Sequence, residues 1–482
     1  MIEKKVKTSI KSGFKWSLIG NYSAQVIGFV VSIFLARILT PEDFGIVGMS
    51  LAFIHMLKIL MTFGFNEALI QNNTTSKLTF SSVFYINVFV GVVVSTLLII
   101  SAPYIADFYN RKVLKGLIRI LSIIYLIESL NMVQTTILKK SLDFKILTFR
   151  SLISQSIAGI GAIVLALNGF GLYALVAQHI FASLFKTFLL WKISDWKPSL
   201  EFSFSEVKKL LSFAVYSFFG QFLGKIIKEV NTLFIAKVFS PSILGFYSRA
   251  DSFSNLIAQN SSNSLRQVMF SSLSLLQKDD LKFNKMYSRV YNVVITASFF
   301  LSSLAFITGA FLITNIYGEK WIPSIVIFKI LMIKGIALPH NGIIVTAILS
   351  KGYAKKNFQF GNIKKLINII PLLTLYFKDL NIFLYAVLLT QISNIFVNMF
   401  ISFKILKVSY FEQMKPLLMN FIFSLTMLLG LPMFVKFESN YIEVFIQALL
   451  YIGFFALFTF LLNKEVMIEI KQILNRNKKK GL

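Results

Sequence analysis

The chain has 482 residues, a formal net charge of +28, 56% hydrophobic residues and only 15% charged ones. Soluble globular chains average roughly 45–50% apolar and about 25% charged residues, so an ordinary soluble protein is excluded. With no cysteine, disulfides, thiolate catalysis and cysteine metal sites are excluded as well.

Apolar stretches of about 20 residues recur along the whole length, each able to cross a hydrocarbon layer about 30 Å thick. In chain order they fall at 14–37, 43–65, 81–106, 116–138, 148–168, 170–191, 210–236, 243–265, 288–314, 322–349, 358–377, 381–403, 416–435 and 440–462. The expectation is an all-α polytopic membrane protein with fourteen transmembrane helices. Lys364 and Lys365 interrupt the eleventh. Before the first lie Lys4, Lys5, Lys7, Lys11 and Lys15. The apolar run that follows is too long for a secretory leader and lacks a small-residue cleavage site, so it reads as a retained span. Basic residues gather in this N-terminus, in KKSLDFK at 139–145, in QKDDLKFNK at 277–285 and in RNKKK at 476–480. All four fall on one side of the predicted membrane, which places both termini in the cytoplasm. The positive charge is therefore a topological signal, not a nucleic-acid footprint.

The chain also repeats itself. FLARILTPEDFGI at 34–46 is answered by FIAKVFSPSILGF at 234–246, and Ser17, Gly20, Ile27, Val30, Phe34, Ala36, Pro41 and Gly45 recur identically 200 residues later. Thr40 and Ser240 suit a helix N-cap, with Pro41 and Pro241 at the first helical position. Each copy thus predicts a tight corner between a helix ending near Arg37 or Lys237 and the next. RIL at 119–121 matches KIL at 329–331, and TTILKK at 135–140 matches TAILSK at 346–351. One unit is then six spans, and an even number inserts the second copy in the same orientation as the first. We expect two parallel-repeat six-helix bundles, 1–200 and 201–407, with two additional C-terminal helices and a basic cytoplasmic tail in 408–482.

Polar side chains inside spans are costly and normally face a bundle interior or a wet cavity. Span 1 carries Asn21 and Gln25; span 7 carries Gln221, Lys225 and Lys228. Span 2 lines up His55, Lys58 and Thr62, and span 8 carries Ser252, Asn255, Gln259, Ser262 and Arg266 behind Arg249. These faces predict a water-accessible central cavity lined by spans 1, 2, 7 and 8. Hydrogen bonding between helices inside each bundle is the alternative for the Asn, Gln and Ser residues.

Other charges have plainer readings. Arg119, Lys329 and Lys186 sit near span ends and can snorkel to the surface. Arg37 and Lys237 end helices, where cations are favoured. Glu229 reads as a neutraliser of Lys225, and Asp251 as a counterion of Arg249. Lys58, Arg119, Lys225, Lys228, Arg249, Lys329 and Lys334 outnumber Glu128, Glu229 and Asp251, so the interior should attract an anion, phosphate above all. The three acidic residues are the candidates for ion coupling. His55, His179 and His340 show no ligand spacing and no Walker-type loop is present, so no metal, cofactor or catalytic residue is expected.

The run GFKWSLIGNYSAQVIGFVVSIFLARILTPEDFGIVGM, then FGFNEALIQ at 63–71, APYIADFYN at 102–110, LDF at 142–144, GFGLYALVAQ at 169–178 and YGEKWIPS at 317–324, resembles the bacterial Wzx-type polysaccharide flippases. These belong to the multidrug/oligosaccharidyl-lipid/polysaccharide exporter superfamily. The resemblance covers roughly residues 10–410. It implies two lobes around a cavity that opens alternately to either side, and a cargo of undecaprenyl-diphosphate-linked oligosaccharide carried to the outer face of the bacterial inner membrane. It also implies a monomeric transport unit, working in functional association with polysaccharide polymerase and glycosyltransferases. An intramembrane Arg or Lys role is carried over to Lys58, Lys225, Lys228 and Arg249, with Asn21, Gln25, Gln221, His55, Asn255 and Gln259 as polar lining. The alternatives are a cation-coupled multidrug exporter, which should show an acidic cluster in one lobe, and a membrane glycan polymerase, which needs a larger outer loop than any here. A non-transporting scaffold is opposed by the two duplicated polar faces.

Overall fold

The structure is a computed structural model that describes residues 2–72, 75–434, 441–463 and 466. The basic segment 476–480 lies outside the described residues. Those described are almost entirely helical, with no strand among them. Contacts divide the chain into two compact units, Met1–Gly245 and Phe246–Leu482.

The first unit contains α1 (Ile2–Ile38), α2 (Pro41–Thr62), α3 (Phe65–Gln71), α4 (Lys77–Phe108), α5 (Val113–Ser129), α6 (Met132–Lys140), α7 (Phe144–Leu167), α8 (Leu172–Ile193) and α9 (Phe204–Val238), and it closes in the first turn of α10 (Pro241–Leu275). Within it α7 packs on α1 and α8, α4 on α5, and α2 on both α5 and α9. Apolar side chains of α3, α4, α6 and α9, including Phe65, Leu69, Phe84, Val133 and Leu210, close one buried cluster. Beside it Glu206 is tied to α4: Thr79 Oγ1 donates to its carboxylate at 2.6 Å, and Lys209 donates to it from the next turn. The hydrogen bonds from Lys209 and Thr79 hold the Glu206 carboxyl below its ordinary range.

The second unit continues α10 and adds α11 (Asp280–Leu312), α12 (Ser324–Ser350), α13 (Ala354–Ile367), α14 (Ile370–Thr374), α15 (Leu380–Leu406), α16 (Tyr410–Phe434) and α17 (Tyr441–Leu462). Here α11 is the central element and packs against α12, α16 and α17. Phe283, Tyr287, Tyr291 and Ile295 of α11 meet Ile344 of α12 and Met399 of α15 in its main core.

Ten described helices are long and apolar enough to cross a membrane. Their outward faces carry rows of exposed Phe, Leu and Ile, such as Phe89, Leu97 and Ile100 on α4, as a lipid-bathed surface requires. The predicted spans 116–138 and 358–377 are each broken. The first divides into α5 and α6 around Asn131, and the second into α13 and α14 around Asn368. The spans at 210–236 and 243–265 fall on α9 and α10, whose side chains are described only in part.

Both repeated corners form as the sequence requires. Thr40 Oγ1 accepts from the Asp43 N–H at 3.2 Å, and the Asp43 carboxylate accepts from the Thr40 N–H at 2.9 Å, a complete capping box. Ser240 Oγ accepts from the Ile243 N–H at 3.2 Å, but Ile243 has no carboxylate to return the bond. Thr40→Ala is therefore expected to cost about 1 kcal/mol and Ser240→Ala less, measured as the melting temperature of the purified protein.

The two corners also touch, and both lie in the first unit. A Cβ placed on Gly45 would sit 1.7 Å from the Pro241 carbonyl oxygen; one on Gly245 would sit 2.0 Å from the Pro41 carbonyl oxygen. The duplicated Gly therefore serves duplicated backbone contact, each corner fitting its glycine against the other corner's proline.

Candidate functional site

In the first unit, packing of α2 against α5 brings Lys58 Nζ to 2.6 Å from Glu128 Oε2 and 2.8 Å from Oε1. The Lys58 side chain remains 45% exposed and that of Glu128 22% exposed. Arg150 of α7 and Lys186 of α8 both lie within electrostatic reach of the same carboxylate, and Lys186 also feels the charges of Arg150 and Lys58. Lys58 thus pairs with Glu128 while two more cations lie within its electrostatic reach, an arrangement with an excess of positive charge.

The break between α5 and α6 borders this cluster. Ending α5 at Ser129 lets Asn131 turn its amide across to α8, where Nδ2 donates to Thr187 Oγ1 at 2.6 Å. Thr187 Oγ1 donates in turn to the Ile127 carbonyl at 3.1 Å, one of those the helix end leaves without an intrahelical partner. Arg150 Nη1 donates to Thr135 Oγ1 at 2.9 Å, while its buried Nε has no hydrogen-bond partner. A broken helix whose freed backbone is satisfied around charged groups is a recurrent way to build a membrane binding site.

In the sequence Lys58 and Glu128 stand out as separate intramembrane charges, and nothing marks Arg150. Lys186, expected to snorkel to the surface, lies within electrostatic reach of Glu128, Arg150 and Lys58. Its position near a span end concealed this, because register alone does not show which way a lysine stem turns.

The second unit contains a different pair. Lys334 Nζ of α12 lies 2.8 Å from Asp251 Oδ1 of α10, and Asn255 Nδ2 donates to Asp251 Oδ2 at 2.8 Å. Lys334 is thus a cation that Asp251 meets, from 83 residues further along the chain. The Lys334 and Asp251 side chains are only 15% and 21% exposed. Further along, Lys364 donates to Asn341 Oδ1 at 2.9 Å and to Asn398 Oδ1 at 3.0 Å. Two amide oxygens thereby accommodate Lys364, one of the two lysines that interrupt span 11. At the α13–α14 break, Asn394 Nδ2 donates to Asn368 Oδ1 at 3.0 Å.

Among the other predicted residues, Asn21 is exposed on α1 and Gln25 half-buried. His55 is exposed, with Nδ1 4.0 Å from Glu229 Oε1, so Glu229 faces a histidine. Asn255 serves Asp251 as described. The side chains of Gln221, Lys225, Lys228 and Gln259 lie outside the described residues, as do those of Thr62, Ser262 and Arg266.

The chain's similarity to known proteins agrees with this picture of a membrane bundle. Over 421 residues it is 24% identical to "Lipopolysaccharide biosynthesis protein WzxC" of Escherichia coli (strain K12), covering 86% of this chain and 85% of that protein. Over 362 residues it is 25% identical to "Teichuronic acid biosynthesis protein TuaB" of Bacillus subtilis (strain 168), covering 74% of each. In fold it is similar to a structure titled "Lipid II flippase MurJ, inward closed conformation", with a TM-score of 0.74 and 16% identity over 94% of this chain and 99% of that one. The family described as "Polysaccharide biosynthesis protein" matches residues 34–326, and the chain, a multi-pass helical membrane protein, belongs to that family.

Proposed function

We propose that the protein is a flippase that carries undecaprenyl-diphosphate-linked oligosaccharide from the cytoplasmic to the outer face of the bacterial inner membrane. The observation that carries this reading is the Lys58–Glu128 pair with Arg150 and Lys186 within electrostatic reach of the same carboxylate. Such a cation excess within the bilayer suits an anion, and a diphosphate offers several charged acceptors for Lys and Arg at once. The Asn131, Thr135 and Thr187 side chains beside it suit sugar hydroxyls, while a prenyl tail stays in lipid. The names of the relatives support the cargo class, since they refer to lipopolysaccharide and teichuronic acid.

In this reading the duplicated lobes 1–200 and 201–407 alternate access by rocking, with 408–482 appended and both termini cytoplasmic. The cargo binds inward- and outward-open states with different affinity, and that difference drives the exchange. Lys225, Lys228 and Arg249 extend the cationic lining, and the transport unit is a monomer working beside glycosyltransferases and a polysaccharide polymerase.

A deletion strain tests the proposal. It should accumulate lipid-linked oligosaccharide in the cytoplasmic leaflet and lose the envelope polymer, and the wild-type gene should restore both. Unchanged polymer with no trapped intermediate, in a strain holding no second flippase gene, would refute it.

A further inference from the structure

The two units contain a natural comparison. Each holds an ion pair between corresponding helices of the repeat: α2 with α5 in the first, α10 with α12 in the second. The signs are exchanged. In the first unit the repeat's second helix supplies the cation, Lys58, and its partner the carboxylate, Glu128; in the second unit α10 supplies Asp251 and α12 supplies Lys334.

Their surroundings differ just as much. The Asp251–Lys334 pair has Asn255 on its second carboxylate oxygen and leaves each side chain about a fifth exposed or less. That is a closed clamp. The Lys58–Glu128 pair has two further cations, Arg150 and Lys186, within electrostatic reach of the same carboxylate. Its cation is also three times as exposed as Lys334, 45% against 15%.

From this contrast, and resting on the flippase reading above, we infer that Glu128 is a displaceable counterion: it holds the cation cluster while the site is empty and yields Lys58 to the cargo's phosphates. The physical need is plain. Three cations left together in a low-dielectric bundle repel one another and lack solvation, so an empty site requires an internal anion. A cargo diphosphate brings more negative charge than one carboxylate and can take over that duty. Because Glu128 competes with the cargo, it lowers cargo affinity and restores the empty site after release. The role is one of tuning binding, without transfer of any coupling ion.

The test compares binding of undecaprenyl diphosphate to the purified full-length protein in detergent, for wild type, Glu128→Gln and Glu128→Asp. Glu128→Gln should bind about tenfold tighter, within the range of ordinary coupling between sites, and export in cells should fall because release slows. Glu128→Asp, with a shorter reach to Lys58, should fall between the two, which keeps the test open if Glu128→Gln does not fold. Asp251→Asn should lower the melting temperature and bring no gain in affinity. Inorganic pyrophosphate, run in parallel, should show the same order of affinities if the phosphates alone are recognised; if it fails to bind while the lipid does so in the predicted order, the prenyl chain shares in recognition and the Glu128 role stands. Equal or weaker binding by both Glu128 variants, with wild type binding well, overturns the counterion role and leaves the flippase reading intact. Failure of wild type itself to bind undecaprenyl diphosphate overturns both.

Discussion

Gly45→Ala is expected to abolish correctly folded protein, and Gly245→Ala to do the same. The added methyl carbon would sit 1.7 Å from the Pro241 carbonyl oxygen in the first case and 2.0 Å from the Pro41 carbonyl oxygen in the second. Both distances lie far inside van der Waals contact, and the opposing atom belongs to backbone at the start of a helix. It cannot rotate aside as a side-chain end would. Relief requires one corner to move bodily, at a cost of at least about 1–3 kcal/mol for overpacking. Gly48 supplies the control. It lies one turn further along α2, and a Cβ there meets only Leu244 Cδ2 at 3.8 Å, so Gly48→Ala should be tolerated and gain slightly from helix propensity. Size-exclusion profiles of the three variants in mild detergent should show a monodisperse peak for Gly48→Ala alone. Monodisperse, thermally stable Gly45→Ala protein would mean that the two corners do not meet as described.

Single removal of Lys58, Arg150 or Lys186 is the second large effect. Charge-assisted hydrogen bonds contribute about 1.5–3 kcal/mol each, so each alanine variant should lose roughly tenfold or more of export while still inserting. The three should differ in one respect. Lys58→Ala strips Glu128 of its closest partner, at 2.6 Å, and should also lower the melting temperature. Arg150→Lys should keep part of the activity, since charge remains but the guanidinium contact to Thr135 at 2.9 Å is lost. Pulse-labelled surface polysaccharide, normalised to membrane-inserted protein, reads these outcomes. Wild-type export from all three alanine variants would detach the cluster from transport.

Much of the fold is legible in the chain because a bilayer leaves few choices: backbone polar groups must be satisfied internally, so long apolar runs become helices. The repeated Thr/Ser–Pro–Gly corners follow from capping chemistry and were placed correctly. The breaks at Asn131 and Asn368 were not, since an asparagine between apolar residues is as compatible with a continuous helix as with an interrupted one. For the site, intramembrane charge marked Lys58, Glu128, Asp251 and Lys334, but pairing depends on how helices rotate against each other. Lys334, a partner of Asp251, lies 83 residues away along the chain. Arg150 carries no such mark and Lys186 suggests a surface position, because a cation near a span end can turn either towards water or towards an interior carboxylate.

The most direct test of the central claim, that intramembrane cations hold the phosphates of a lipid-linked glycan, is a flipping assay in vesicles. Purified protein is reconstituted with undecaprenyl-diphosphate-linked oligosaccharide, and a membrane-impermeant glycosidase reports the glycan exposed outside over time. Wild-type protein should make the inner-leaflet pool accessible, and the Lys58→Ala/Lys186→Ala double variant should leave it protected. Equal rates for the two proteins, or no exposure by either, would contradict the claim.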